Sequence, residues 1–238
     1  MMSMDAVLKI GFKLANYCDT SGNPSASKVY RAAKIILSQP NLKGYFASGS
    51  GVASQEQYHS ARGMVKAFYE EKLEIPAVIR LGGNYEEEAI EILGTYLKDI
   101  PATVEGYGRD DSPEYCAQRL EELTENCQSV SHTIRPMKDL DLPGAGYFFE
   151  TLTGRIFFDH QKCENCQTKG CVKACRAQIL KLEEGKPVLS IPLVEAKKGK
   201  CTECLACEIF CKFHEQDAIM IYLPIPGLKE YRDKLIGS

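Results

Sequence analysis

Apolar positions along the first half of the chain follow two alternating periods. In PSASKVYRAAKIILSQ (24–39), Val29, Ala32, Ala33 and Ile36 fall at i, i+3, i+4 and i+7, one face of a helix. Pro24 and the neighbouring serines suit its start. LKGYFAS (42–48) reads as a strand running into the glycine-rich SGSGVAS. A second helix carries Tyr58, Ala61, Val65 and Phe68 on one face. PAVIRLGG (76–83) predicts a buried strand. NYEEEAIEILGTYLKD (84–99) predicts a helix with Asn84 as N-cap and acids in its first turn, where the macrodipole favours them. ATVEGYG (102–108) predicts a strand, and SPEYCAQRLEELTENC (112–127) a helix with Ser112 as cap and Pro113 at its first position. The mixed apolar run IGFKLANYC (10–18) predicts one more strand, and burial for Cys18 at its end.

Strands alternating with helices imply a parallel sheet covered on both faces. Ligands of such sheets sit beyond the carboxyl ends of the strands, where the turns 48–54 and 82–84 lie. Backbone N–H groups of a glycine turn at a helix N-terminus form an anion site. Ser48, Gly49, Ser50 and Gly51 are therefore a candidate phosphate or CoA loop, although a turn needing glycine for its shape reads the same way. Arg80 faces the same crevice or pairs with an acid. Glu86, Glu87 and Glu88 read as a solvated helical turn.

From 128 the periodicity breaks in a stretch rich in proline and glycine. RIFFDHQKC (155–163) is a strand leading into cysteines, and LPIPGLKEYRDKLIGS reads as a tail. The expected organisation is an α/β domain over 1–128, a connector over 129–155, a small second domain over 156–225 and a tail over 226–238. A length of 238 residues suits two domains. A net charge of −3 offers no electrostatic footprint for nucleic acid. No apolar run approaches the roughly 20 residues that span a bilayer, and no basic segment precedes an apolar one at the start. The expectation is a cytoplasmic protein without a membrane span.

Eleven cysteines change that picture. A reducing compartment keeps disulfides rare, yet eight of the eleven lie between Cys163 and Cys211. They form two runs, Cys163-x2-Cys166-x4-Cys171-x3-Cys175 and Cys201-x2-Cys204-x2-Cys207-x3-Cys211. A zinc site built from two knuckles takes four ligands, and eight overfill it. Cys116 and Cys127 share a helix face with Leu120 and Leu123 and read as packed hydrophobes. Residues 156–223 resemble the dicluster ferredoxin domain, an α+β fold, with the longer first run of iron–sulfur subunits of multi-subunit oxidoreductases. The resemblance implies two [4Fe–4S] clusters in which the last cysteine of each run ligates the other cluster. One cluster takes Cys163, Cys166, Cys171 and Cys211, and the other takes Cys201, Cys204, Cys207 and Cys175. Arg176 and Lys212 stand where that family usually has proline. His160 and His214 lie near the runs.

Residues 14–93 resemble the CoA-ligase domain of succinyl-CoA synthetase β subunits and related ADP-forming acyl-CoA synthetases. The likeness rests on LANYCDTSGNPSASKVYRAAKIILSQPNLKGYFASGSGVAS and IPAVIRLGGNYEEEAIEIL. It implies a flavodoxin-like sheet and chemistry of CoA thioesters. Two glycine turns depart from the family, as CDTSGNPSAS and SGSGVAS, and the nucleotide-binding ATP-grasp portion is missing. The chain by itself is therefore not expected to make an acyl-CoA.

Together the two resemblances imply an iron–sulfur electron-transfer subunit of an oxidoreductase complex acting on CoA-linked substrates, such as a 2-oxo acid:acceptor oxidoreductase, in an anaerobic setting. Its partners would be the other subunits and a ferredoxin or flavoprotein carrier. The alternative is a subunit of a redox-linked ADP-forming acyl-CoA synthetase whose ATP-grasp part is another chain. Cations beside the clusters favour the reduced state. A redox titration is expected to place the midpoints above about −500 mV, away from the bottom of the known range; two midpoints below that value would refute this influence.

Overall fold

The computed structural model describes residues 2–49, 56–127, 130–137 and 146–237. The chain forms two compact units, one of Met1–Pro136 with Glu230–Ser238, the other of Met137–Lys229.

The first unit runs α1 (Met2–Lys9), α2 (Ala26–Ile36), β1 (Tyr45–Ser48), α3 (Tyr58–Glu71), β2 (Ala77–Arg80), α4 (Glu86–Tyr96), β3 (Val104–Tyr107) and α5 (Pro113–Asn126). The strands form a parallel sheet in the order β1-β2-β3. Strand alternation sorts the two faces. Val78 packs with Cys116 and Leu120 of α5. Tyr45 meets Phe68 of α3 edge to face, ring centres 4.9 Å apart. α2 packs on α3 and α3 on α4, while α1 lies on α5 through Ala6, Val7 and Ala117. Each large apolar side chain fully buried here contributes about 1.5–3 kcal/mol.

Two helix caps match the expected chemistry. Ser25 accepts from the Lys28 amide and Ser112 from the Tyr115 amide. α4 differs: its cap is Tyr85 in the left-handed region (φ 57°), not Asn84, whose carbonyl instead accepts from the Gln57 amide. The expected strand over 10–18 does not form. The N-terminal residues make α1, and the chain then continues without regular structure to α2, leaving Cys18 exposed rather than buried. The sheet thus has three strands among the described residues, and their order never reverses. A flavodoxin-like sheet has such a reversal, and its crevice opens there.

The second unit contains β4 (Tyr147–Glu150), β5 (Arg155–Phe158), α6 (His160–Glu164), α7 (Gly170–Ala174), β6 (Leu180–Glu183), β7 (Lys186–Leu189), the single turn α8 (Leu193–Glu195), α9 (Ala206–His214) and β8 (Ile219–Tyr222). β4, β5 and β8 form an antiparallel sheet in that order, and β6 and β7 form a hairpin. Part of the expected connector is therefore the sheet strand β4. Register aligns Phe149, Ile156 and Ile221 in one buried row. α7 lies close on α9, where a Cβ at Gly170 would stand 2.1 Å from the Phe210 ring.

The expected tail is also ordered. α10 (Leu228–Ile236) carries Arg232, which is fully buried in the first unit. Its guanidinium donates to Glu71 at 2.9 and 3.1 Å, to Ser38 Oγ at 2.7 Å and to the Lys34 carbonyl at 3.0 Å. Lys34 also pairs with Glu71. Removing one partner of a buried ion pair strands the other charge. Arg232→Met is expected to lower the unfolding free energy by about 3–5 kcal/mol, read from the denaturant midpoint; adding Glu71→Met should recover only part of that loss, because it leaves the buried Lys34 to Glu70 alone.

Candidate functional site

The cysteine runs are set by unusual local backbone. Asp159 caps α6, its Oδ1 accepting from the Gln161 and Lys162 amides, and so orients Cys163 at the helix end. Glu203 and Leu205, on either side of Cys204, are both left-handed (φ 50° and 62°). Such residues cost of order 1–3 kcal/mol each and persist where the surroundings hold them. Here Leu205 is buried, and the buried Glu203 carboxylate accepts from Thr151 Oγ1 (2.6 Å), Thr153 N (2.7 Å) and Thr153 Oγ1 (2.6 Å). The turn between β4 and β5 is thereby tied to the second cysteine run.

The eight thiols fall into two groups, and neither follows the chain. Cys163, Cys166, Cys171 and Cys211 are electrostatic neighbours of one another. Cys175, Cys201, Cys204 and Cys207 form the second group. Each group takes three members from one run and the fourth from the other. The second group, with Phe149, Ile156 and Ile221, lines a small apolar pocket. Among the described residues, no three His, Cys, Asp or Glu side chains converge as a site for a single metal ion.

Burial governs the chemistry of these thiols. Burial, then the neighbouring Cys211, push Cys163 up to about 11 and Cys171 up to about 12. Burial pushes Cys201 up to about 12, with Cys204 and Cys175 adding to it against an opposing bond from the Glu203 backbone. Cys207 is raised well above its ordinary value for the same reason, with its three group members adding repulsion. The last cysteine of each run has a shared device. Burial raises both, but the backbone amides of Ile179, Ala177 and Gln178 favour thiolate at Cys175, and those of Ala218, Gln216 and Ile219 do so at Cys211. The Ala218 amide lies 3.3 Å from Cys211 Sγ. These donors lie just downstream of each last cysteine, in the segment that leads to the next strand.

The neighbouring ionisable groups are mostly engaged. Lys212 pairs with Asp217 at 3.0 Å, which cancels part of its field, and Arg176 is exposed. His160 stacks on Tyr147 and bonds the Pro187 carbonyl through Nε2. His214 packs on Phe210. Glu215 accepts from Thr168 and, at 3.1 Å, from Cys166.

In the first unit, Ser50 and Gly51 of the candidate loop lie outside the described residues. Ser48 ends β1. The Gly49 amide donates to the Arg80 carbonyl, and its own carbonyl accepts from the Arg80 guanidinium, both at 2.8 Å. Arg80 also donates to the carbonyls of Asp111 and Arg109, so among the described residues it braces two loop segments through three carbonyls instead of pairing with an acid. The turn at 82–84 holds a carboxylate of the chain itself: Glu86 accepts from the Gly83 amide at 2.8 Å and from Arg109 at 2.9 Å. Glu88 pairs with Arg62. Only Glu87 of the three glutamates is exposed. Cys116 is fully buried against Val78 and Leu120.

No family model matches the chain. Part of it is 35% identical over 106 residues to the β subunit of the GDP-forming succinate–CoA ligase of Thermus thermophilus, covering 44% of this chain and 28% of that one. It is 41% identical over 104 residues to the β subunit of the ADP-forming succinate–CoA ligase of Alkaliphilus oremlandii, covering 43% and 27%. The chain thus spans about a quarter of the length of the curated relatives it matches. A solved structure of ATP citrate lyase from Methanothrix soehngenii, in complex with citrate and coenzyme A, aligns with 42% of this chain at a TM-score of 0.39 and 17% identity. Among the described residues no helix is long and apolar enough to cross a membrane.

The raised thiols carry a pH consequence. With the cysteines as free thiols, the folded pKa values lie above the unfolded ones, so the folded state holds more protons at alkaline pH. The associated stability is complete below about pH 8.5, the ordinary cysteine value, and falls as pH rises toward the folded values of about 11 to 12. Thermal melts of iron-free protein should drop in midpoint above about pH 9, whereas Cys163→Ala, Cys171→Ala and Cys201→Ala together should flatten the profile.

Proposed function

We propose that this chain is an electron-transfer subunit that carries two [4Fe–4S] clusters for an oxidoreductase acting on CoA-linked substrates. The carrying observation is the crossed grouping of eight thiols, three from one run and one from the other in each set. That is the ligand pattern of a two-cluster ferredoxin. The donor set fits the group. Thiols this strongly raised stay protonated at neutral pH unless a cation takes the proton's place, as ligation by a metal does.

In this reading Cys163, Cys166, Cys171 and Cys211 hold one cluster, and Cys175, Cys201, Cys204 and Cys207 the other. When bound, such clusters supply reversible one-electron storage. The chain's own part is to exclude water with the Phe149, Ile156 and Ile221 row and to fix the ligands through Asp159 and Glu203. It also aims amides at the sulfurs of Cys175 and Cys211, and hydrogen bonds to sulfur are among the factors that set a cluster's potential. A link to CoA is supported by the partial similarity to succinate–CoA ligase β subunits. A 2-oxo acid:acceptor oxidoreductase complex is a coherent home, because it would need both CoA chemistry and low-potential one-electron transfer.

A second reading draws on that same similarity: a subunit of a redox-linked ADP-forming acyl-CoA synthetase, with nucleotide binding on another chain. Against a phosphate site in this chain stand the engaged Gly49 amide and the Glu86 carboxylate at the 82–84 turn.

Purification of the native assembly without oxygen tests both readings. About eight irons per chain, a dithionite-reducible electron paramagnetic signal and a co-purifying thiamine-dependent oxidoreductase are expected. About four irons or fewer, or zinc instead, would refute the conducting role. A co-purifying ATP-grasp chain with acyl-CoA-dependent ATP formation would favour the second reading.

A further inference from the structure

We propose that the corner formed by Leu152, Leu193, Val194, Lys197, Lys198 and Lys200 is the docking surface for a small acidic electron-carrier protein. This inference rests on the conducting role above and names the exit of the path. α8 puts Leu193 and Val194 in solvent, 61% and 54% exposed, and Leu152 at the β4–β5 turn is 63% exposed. The chain then passes through a π-helical turn, Ala196–Lys200, in which Gly199 is left-handed at φ 100°. That residue places Leu152 beside the lysines: Leu152 Cδ2 lies 4.0 Å from where a Cβ on Gly199 would stand. Lys197 is tied to Glu150 at 2.6 Å, which joins the turn to β4. The apolar and basic residues thus form one corner.

Lys198 and Lys200 are exposed and have no ion-pair partner among the described residues. The nearby acids do not balance them. Glu150 serves Lys197 and Arg155, Glu203 is buried under Thr151 and Thr153, and only the half-buried Glu195 remains. The corner runs directly into Cys201, and Lys173 and Arg176 flank Cys175, both cysteines of the second thiol group. An apolar centre rimmed by the exposed Lys198 and Lys200, one residue from Cys201, fits a partner that presents an acidic rim around its own redox centre. The apolar residues supply contact area, and the cations steer encounter and set orientation.

Isothermal titration of the anaerobically purified, iron-loaded chain with a purified flavodoxin, a small acidic carrier, tests the assignment. The expected result is binding that weakens as ionic strength rises, as screened attraction must. Lys198→Glu with Lys200→Glu should weaken it at least tenfold at low salt. Lys9→Glu with Lys13→Glu, a charge-matched change on the first unit, should leave it within twofold. Leu193→Ser with Val194→Ser should weaken binding while keeping its salt slope. Binding unaffected by the Lys198/Lys200 change, or no binding by the iron-loaded wild type, overturns the docking surface and leaves the clusters standing. Equal charge-dependent binding to phosphatidylglycerol vesicles overturns it as well, by assigning the corner to lipid. A preparation without iron overturns the conducting role and the docking surface with it, and iron analysis of the same sample separates that failure from the others.

Discussion

A thiol in an apolar interior keeps its proton, and the second unit is organised around that fact. Six of the eight clustered cysteines are buried and the other two half-buried. Burial and mutual repulsion raise the pKa of the most enclosed ones far above their ordinary value. In the proposed holoprotein, metal charge would take the place of those protons. Left-handed residues on both sides of Cys204 are held by the burial of Leu205 and the three donors on Glu203.

The crossing of the two runs is what the architecture achieves. α7 and α9 pack closely enough that a Cβ at position 170 would displace the Phe210 ring. That contact carries Cys175, at the end of one helix, toward the run of the other, and does the reverse for Cys211. Each crossing cysteine is then followed by amides directed at its sulfur. Glu203 supplies the remaining constraint, since one buried carboxylate satisfied by three donors ties the knuckle around Cys204 to the β4–β5 turn.

The first unit is built on a different principle. Its sheet is small, and its cohesion comes from helices layered on both faces and from Arg232, delivered from the far end of the chain into a buried network with Glu71, Lys34 and Ser38. Its carboxyl-end crevice is largely self-satisfied: Arg80 braces carbonyls, and Glu86 takes the amide and the arginine that an incoming anion would use. The similarity to succinate–CoA ligase β subunits covers less than half of the chain.

Local chemistry was legible in the sequence wherever one short segment decided it. The apolar spacing of Val29, Ala33 and Phe68, the caps at Ser25 and Ser112, the alternation of strand and helix and the two cysteine runs all belong to that class. The β6–β7 hairpin left a readable signal, alternating residues around Glu184-Gly185, both left-handed as a tight hairpin turn requires; α1 left a weaker one in Ala6, Val7 and Ile10. Other features depended on partners distant in the chain. Whether residues 10–18 pair as a strand, whether Glu86 faces water or Arg109, and whether the C-terminal segment is a tail or an anchor for Arg232 are decided by neighbours that meet only on folding. The sequence by itself determined which atoms are available, namely eight sulfurs at turn spacing and a helix-and-strand rhythm. Tertiary structure alone decided which cysteines become neighbours, because burial and helix packing set through-space distance, and distance along the chain does not.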